Sequence, residues 1–215
     1  MGAVLCFGDS NTWGFDAAAG GRFPWEVRWP GVLAREFAGA VAVVEEGLPG
    51  RTASVVDPVW PHLAAVPYLL PALESHAPLD AVVIMLGTND IQERYGRSAA
   101  AVAGDVAGLA EIAAVSACGA EARPPFVLLV APPPIGRLTD ALAEASYGPG
   151  AEASRRLAPL LAAAAERAPF PCGFLDAGAV TALSEADGIH LDAIGHEALG
   201  RAVAQALRPL LAKSG

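Results

Sequence analysis

Apolar positions in this chain follow two patterns that alternate along its length. Short unbroken runs stand at Val4–Phe7, Val41–Val44, Ala81–Leu86, Phe126–Ala131 and Gly173–Leu175. Between and after them, near Trp29–Phe37, Tyr68–His76, Ala99–Cys118, Ala151–Arg167 and Ala193–Leu211, apolar and polar residues mix in longer stretches of helical character. Unbroken runs read as strands covered on both faces, and their alternation with amphipathic helices predicts a parallel sheet between helical layers. The expected fold class is α/β, a three-layer α/β/α sandwich around a five-stranded parallel sheet. Ligands of such sheets bind beyond the carboxyl ends of the strands, near the point where strand order reverses. The segments there are 8–14, 46–52, 87–92 and 132–136, and the chemistry is expected on them.

Composition narrows the picture. At 215 residues, with neither a Pro/Gly/Ser-rich linker nor a repeat, a single domain over 1–215 is expected. The apolar share of 53% is high, yet much of it is alanine in helix-like stretches, and the longest of these is broken by Asp105 and Glu111. No apolar segment approaches the roughly 18 residues of a membrane span, so a soluble protein without a membrane partner is expected. A net charge of −9 disfavours nucleic acid, whose phosphates need clustered Lys and Arg. The first residues lack a basic n-region, and Cys6 stands where a myristoylation motif wants Ser or Thr, so a cytoplasmic location is expected. Cys6, Cys118 and Cys172 are odd in number and set among apolar residues, which favours free thiols over bridges or a metal site.

Ser10 is the most informative residue. It stands in Gly8-Asp9-Ser10-Asn11-Thr12, directly after the first apolar run, where a strand fixes the backbone and the loop leaves a hydroxyl reachable. A serine becomes a useful nucleophile only when a base takes its proton, and that base needs an orienting acceptor. Of the four histidines, His62 lies in an irregular stretch, His76 at a helix C-terminus and His196 inside the last helix. His190 follows Asp187 by three residues on a glycine-containing turn, Asp187-Gly188-Ile189-His190, which brings carboxylate and imidazole within hydrogen-bonding reach. By itself this short pattern also fits a turn former and a pre-helix residue. Acyl chemistry further needs donors for an oxyanion. Asn89, in Gly87-Thr88-Asn89-Asp90, offers a side-chain amide; Gly50 and Ser10 offer backbone N–H groups. Taken singly, glycine and asparagine after strands are ordinary turn residues.

Gly8-Asp9-Ser10, Gly50, Gly87-Thr88-Asn89-Asp90 and Asp187-Gly188-Ile189-His190 together resemble the blocks of the SGNH hydrolases, also called the GDSL family, from end to end of the chain. That resemblance implies a flavodoxin-like sheet, Ser10 as nucleophile, His190 as base, Asp187 as its partner, and an oxyanion hole of Ser10, Gly50 and Asn89, with no cofactor and no metal. The stretches Leu5–Ser10, Val27-Arg28-Trp29, Glu45–Leu48, Ile84–Asp90 and Pro132-Pro133-Pro134 look like the bacterial arylesterase/acyltransferase branch. Resemblance to that branch implies hydrolysis of small esters, acyl transfer to alcohols, and perhydrolysis with hydrogen peroxide as acceptor. It also implies a homo-oligomer, an octamer in the branch. The family's first block commonly reads GDSL, whereas here position 11 is Asn, a change expected to alter the acyl pocket. Asn11, Trp13, Phe15, Thr88 and Ile189 are the candidate pocket residues. The aromatics Trp13, Phe15, Phe23, Trp25 and Trp29 fit either a subunit contact or a locally packed loop, and 132–150, with Leu138 and Tyr147, fits a wall or lid.

Other chemistries have less in their favour. Asp9 and Asp90 invite a Mg²⁺-dependent phosphoryl transfer, but position 11 is no carboxylate, and neither phosphate-cradling glycine motif occurs in the first loop. G-x-S-x-G is absent, with Thr12 in place of the second glycine, so an α/β-hydrolase is disfavoured. A carbohydrate acetylesterase on the same triad is the alternative function, and a non-catalytic binding domain a more distant one.

Overall fold

A computed structural model describes residues 2–211; positions 1 and 212–215 of the expected domain lie outside the described residues. In chain order the elements are β1 (Gly2–Gly8), α1 (Ser10–Trp13), β2 (Phe15–Asp16), β3 (Gly21–Arg22), α2 (Trp29–Glu36), β4 (Val41–Gly47), α3 (Val66–His76), β5 (Ala81–Met85), α4 (Ala99–Ala114), β6 (Phe126–Ala131), α5 (Ala141–Tyr147), α6 (Ala151–Arg155), α7 (Leu157–Arg167), β7 (Cys172–Asp176) and α8 (Ala193–Leu211).

The main sheet has five parallel strands in the order β4-β1-β5-β6-β7. The first crossover runs outward from β1 to β4, and the next passes back over β1 to β5, so strand order reverses at β1 and β5. Both strands therefore end at the crevice where such sheets bind ligands. β1 is held on both sides in one register, Gly8 opposite Gly47 of β4 and Met85 of β5. Its residues Val4–Phe7, and all of β5, are buried, as unbroken apolar runs require. β7 at one edge is half-buried throughout.

Two helical layers cover this sheet. α2 packs on α8 at one face, while α4 packs on both α3 and α7 at the other. Leu33, Leu199 and Val203 enter the core from the first layer, and Leu69, Leu73, Val106, Leu109 and Leu161 from the second. The three-layer α/β/α sandwich expected from the apolar pattern is thus the fold.

The differences lie between the main elements, and each has a local cause. The helix read over 151–167 is broken at Arg156, because Pro159 cannot donate to the Arg155 carbonyl one turn back. α4 stops at Ala114, where Ser116 turns its hydroxyl back onto the Ala113 carbonyl. Within the expected lid, 132–150, a helix forms because Asp140 accepts from the N–H groups of Leu142 and Ala143 at 2.8 and 2.9 Å. The β2–β3 hairpin was not foreseen; its turn is closed by the Asp16 carboxylate, which accepts from Ala18 and Ala19. Of the aromatic cluster, Trp29 is buried in the core, Phe23 meets His196 edge-on at 5.4 Å, and Arg22 covers the Trp13 ring at 4.6 Å. Trp13, Phe15 and Phe23 are partly buried and Trp25 is exposed. No described helix is long and apolar enough to cross a membrane.

Gly200 marks the closest approach of α8 to α2. A Cβ there would stand 2.5 Å from Val32 Cβ and 2.8 Å from the Trp29 carbonyl oxygen, and neither can swing aside. Gly200→Ala is expected to destabilise the protein by a net 1–2 kcal/mol or so, overpacking outweighing the gain in helix propensity. Urea unfolding of the two proteins checks this; equal or greater stability of the variant would show that the two helices separate freely.

Candidate active site

The sheet delivers its polar residues to one place. At the end of β1, Asp9 caps the short helix α1 by accepting from Asn11 N–H at 2.9 Å, and this sets Ser10 in the first turn. From the far end of the chain, the loop before α8 brings His190 Nε2 to 2.9 Å from Ser10 Oγ, and His190 Nδ1 lies 2.5 Å from Asp187 Oδ2. The other oxygen of Asp187 accepts from the N–H groups of Ile189 and His190 at 2.8 and 3.0 Å, which fixes the turn that carries the imidazole. Burial by itself would raise the Asp187 pKa. The bonds from the His190 ring and these two amides outweigh burial and hold it below its ordinary value. An ionised carboxylate only accepts, so Nδ1 carries the ring proton and Nε2 presents its lone pair to the Ser10 hydroxyl. Gly188 makes the turn possible: its φ is +73°, and a Cβ would stand 2.4 Å from the Arg137 carbonyl oxygen.

Gly50 and Asn89 belong to the same ring of loops. Gly50, at φ +82°, precedes Arg51, whose guanidinium donates to the Gly8 carbonyl at 2.9 Å and to the Glu46 carbonyl. The Arg51 carbonyl in turn accepts from Asn89 Nδ2 at 3.1 Å, and the same amide nitrogen is 3.5 Å from Asp9 Oδ2. Asn89 Oδ1 accepts from the Tyr147 hydroxyl at 2.9 Å and from Gln92 Nε2 at 3.3 Å. With its oxygen tied to those donors, the amide turns its NH₂ toward the β1 loop. Burial, aided by the negative charge of Asp9, raises the Tyr147 pKa and keeps the phenol a donor. Among the described residues no acceptor engages the N–H of Ser10 or of Gly50.

The expected pocket residues divide. Phe15 packs against the His190 ring, centroids 4.5 Å apart. Ile189 and Thr88 are buried, and Thr88 Oγ1 has no partner among the described residues. The Trp13 ring lies under the Arg22 guanidinium. Asn11 is buried, and its amide joins Ile189 and Leu191 on the loop of the imidazole. The other histidines stand apart from Ser10: His62 in a 3₁₀ turn, His76 against Glu46, and His196 buried with its Nδ1 accepting from Trp29 N–H at 3.3 Å. Among the described residues no three His, Cys, Asp or Glu side chains are gathered as a metal would require.

The family model of the GDSL-like lipases and acylhydrolases matches residues 6–198, a span that takes in every block just described. The chain belongs to this family. Among solved structures, a putative arylesterase from Agrobacterium tumefaciens is 43% identical, at a TM-score of 0.88, with 98% of this chain and 100% of that one covered. A carbohydrate acetylesterase from Sinorhizobium meliloti is 38% identical at 0.92, again covering 98% and 100%. The aryl esterase of M. smegmatis is 36% identical at 0.92, with the same coverage. No curated protein matches the chain in sequence.

Ionisable groups are buried in the floor of this site, Asp9, Arg51 and Asp90 among them. Arg51, Tyr147 and Gln92 were not among the residues that sequence reasoning assigned to the machinery. Gln92 lies on an expected loop and Tyr147 in the expected wall, but no spacing rule joins a phenol to an amide 58 positions away. Burial pushes Asp9 up to about 6 and Asp90, which also feels Asp9, up to about 7. His196 is driven the other way by burial, to about 4. A raised carboxyl keeps its proton in the folded chain where the unfolded chain has lost it. Its contribution to stability is therefore largest at low pH and declines as pH rises from 3.8 toward 7. His196 acts oppositely between about 4 and 6.5. Asp90→Asn cannot ionise and keeps an acceptor for Ala53 N–H, so its stability relative to the native protein should rise from about pH 5 to about pH 8. Denaturant titrations at both values check this; a constant difference would mean that Asp90 titrates alike in the two states.

Proposed function

We propose that the protein is a serine esterase acting on small carboxylic esters through an acyl-Ser10 intermediate. The observation that carries this reading is the Ser10–His190–Asp187 relay, with 2.9 and 2.5 Å links, together with the N–H groups of Ser10 and Gly50, which no acceptor engages among the described residues. His190 takes the Ser10 proton as the oxygen attacks the ester carbonyl. The oxyanion so formed accepts from Ser10 N–H, Gly50 N–H and Asn89 Nδ2. His190 then gives its proton to the departing alcohol, leaving Ser10 acylated. Asp187 holds the imidazole in the tautomer that both steps need. Water completes hydrolysis; an alcohol or hydrogen peroxide in its place gives a new ester or a peracid.

Acyl transfer to alcohols is supported by the apolar surface at the reacting pair, Phe15 on the His190 ring and the buried Ile189 beside it in the chain. Each alcohol methylene buried there gains about 0.8 kcal/mol over water. The likeness to the putative arylesterase of A. tumefaciens and the aryl esterase of M. smegmatis favours aryl esters within the proposed class of short-acyl, aryl or alkyl esters. The likeness to the S. meliloti carbohydrate acetylesterase supports acetylated sugars as a second reading on the same relay.

Ser10→Ala should lower turnover of p-nitrophenyl acetate by about 10⁴-fold or more; near-native rates would remove the assignment. With a vinyl acetate donor and rising primary alcohol, the transferred fraction should increase; hydrolysis alone at every concentration would leave an esterase without transfer. A panel of aryl acetates against acetylated sugars decides between the two substrate classes. Asn89→Ala should cost about 10²- to 10³-fold in kcat with KM little changed. Tyr147→Phe, which leaves Gln92 as a donor to Asn89 Oδ1, should cost less than that. A Tyr147→Phe loss equal to that of Asn89→Ala would place the phenol itself in the reaction.

A further inference from the structure

Ser10 and His190 are 180 positions apart, and a hydrogen bond between two side chains does not by itself hold two loops in register. The loop of His190 is tied to its own surroundings in several ways. Ser184 N–H donates to the His190 carbonyl at 2.7 Å, Gly136 N–H to the Gly188 carbonyl at 2.8 Å, and the Thr139 hydroxyl to the Ala186 carbonyl at 2.8 Å. None of these bonds reaches the nucleophile. Its backbone is joined to α1 by the side chain of Asn11, the residue next to Ser10. Asn11 Nδ2 donates to the Ile189 carbonyl at 3.1 Å, and Asn11 Oδ1 accepts from Leu191 N–H at 2.8 Å.

These two partners are the immediate neighbours of His190, one on each side. An amide is planar, with donor and acceptor a fixed distance apart, so a two-point contact with backbone sets the direction of that backbone as well as its distance. The contact is nearly dry, with Asn11 1% exposed. Its own N–H goes to Asp9 Oδ1, so main chain and side chain of one residue fix both the helix that carries the serine and the loop that carries the imidazole. Leucine, the residue common at this place in the family's first block, has neither donor nor acceptor, and would leave the Ile189 carbonyl and Leu191 N–H without these partners in a buried setting.

We propose that Asn11 is a positioning residue for the reaction: its amide clamps the backbone on both sides of His190 and so sets the Ser10–His190 alignment, without touching the substrate. This rests on the esterase reading given above. It replaces the expectation that the Asn for Leu change acts through the acyl pocket. A clamp on the base affects every substrate alike and acts on kcat, whereas a pocket wall discriminates among acyl chains and acts on KM.

The test compares the native protein with Asn11→Leu and Asn11→Asp on p-nitrophenyl acetate and butyrate, reading kcat and KM separately. The rate at which a serine-directed phosphonate inactivates each protein is measured in parallel, with Ser10→Ala as control. Asn11→Leu should lower kcat by about 10- to 100-fold for both esters, with KM within about twofold, and should slow phosphonylation by a similar factor. Asn11→Asp keeps the acceptor for Leu191 N–H and loses the donor to Ile189 O. Its kcat should fall between the other two and should approach the native value as pH is lowered, because a protonated carboxyl regains a donor. Should Asn11→Leu not fold, the Asp variant carries the test on the same readouts. A native kcat and phosphonylation rate per folded Asn11→Leu molecule, whatever its melting temperature, would overturn the clamp and leave Asn11 a purely structural residue. A change confined to KM, differing between acetate and butyrate, would overturn it in favour of a pocket wall. Activity surviving in Ser10→Ala would instead sink the esterase reading itself, so the two failures are distinct.

Discussion

The contact between Ser10 Oγ and His190 Nε2 is the constraint from which the rest of the site takes its meaning. It joins the end of the first strand to the turn before the last helix, so it exists only when the whole sheet and both helical layers are in place. β1 fixes one partner, being paired on both sides and buried along Val4–Phe7. The other is fixed from below by α8, whose first turn is held by the Asp192 carboxylate accepting from Gly195 N–H at 2.7 Å and whose body packs on α2. Misplacement of reacting groups by about 1 Å can cost a hundredfold in rate, and long-range packing alone leaves that much play between loops. Local polar bonds at Asp9, Asn11 and Asp187 remove it.

Those bonds belong to a larger set of polar groups withdrawn from water. Asp9, Asn11, Arg51, Thr88, Asn89, Asp90 and Gln92 are all buried on the segments that follow β1, β4 and β5. An apolar floor of similar volume would cost less to bury, but it could not aim an amide or a serine. Arg51 shows how the cost is met: its guanidinium lies 4.2 Å from the Phe7 ring centroid and donates to the Gly8 and Glu46 carbonyls, so the charge is partnered on several sides. Burial still lowers its pKa, as it raises those of Asp9 and Asp90. Asp90 Oδ2 and Thr88 Oγ1, without a partner among the described residues, mark where this satisfaction is incomplete.

The main elements could be read in the sequence because unbroken apolar runs mark buried strands. The residues that meet at the strand ends were legible in another way: the Asp187–His190 spacing by itself also fits a turn, and it took its meaning from the resemblance of all four blocks to the GDSL family. Elements of a few residues escaped, since α1 and the β2–β3 hairpin owe their form to single capping side chains, Asp9 and Asp16, rather than to periodicity. The break at Arg156 was readable from Pro159, whereas the link from Tyr147 to Asn89 was not, because no local rule pairs side chains 58 positions apart. Asn11 illustrates the same limit. Its identity stood out against the family's usual leucine, but its consequence depends on which backbone groups the fold brings beside it.

Substrate choice and chemistry are mechanically joined in this arrangement. On the proposed reading, the β2–β3 hairpin and the stretch 132–150 adjoin the relay, and neither supplies a member of it. Each nevertheless touches the machinery directly, Phe15 of the hairpin against the His190 ring and Tyr147 of α5 on the Asn89 carbonyl oxygen. A ligand that displaced the hairpin would shift the base, and one that displaced α5 would turn the amide. Esters that seat without moving either segment meet an aligned base and an aimed donor. Bulkier ones press first against these two segments, so discrimination among acyl and alcohol groups registers in KM before it reaches the relay.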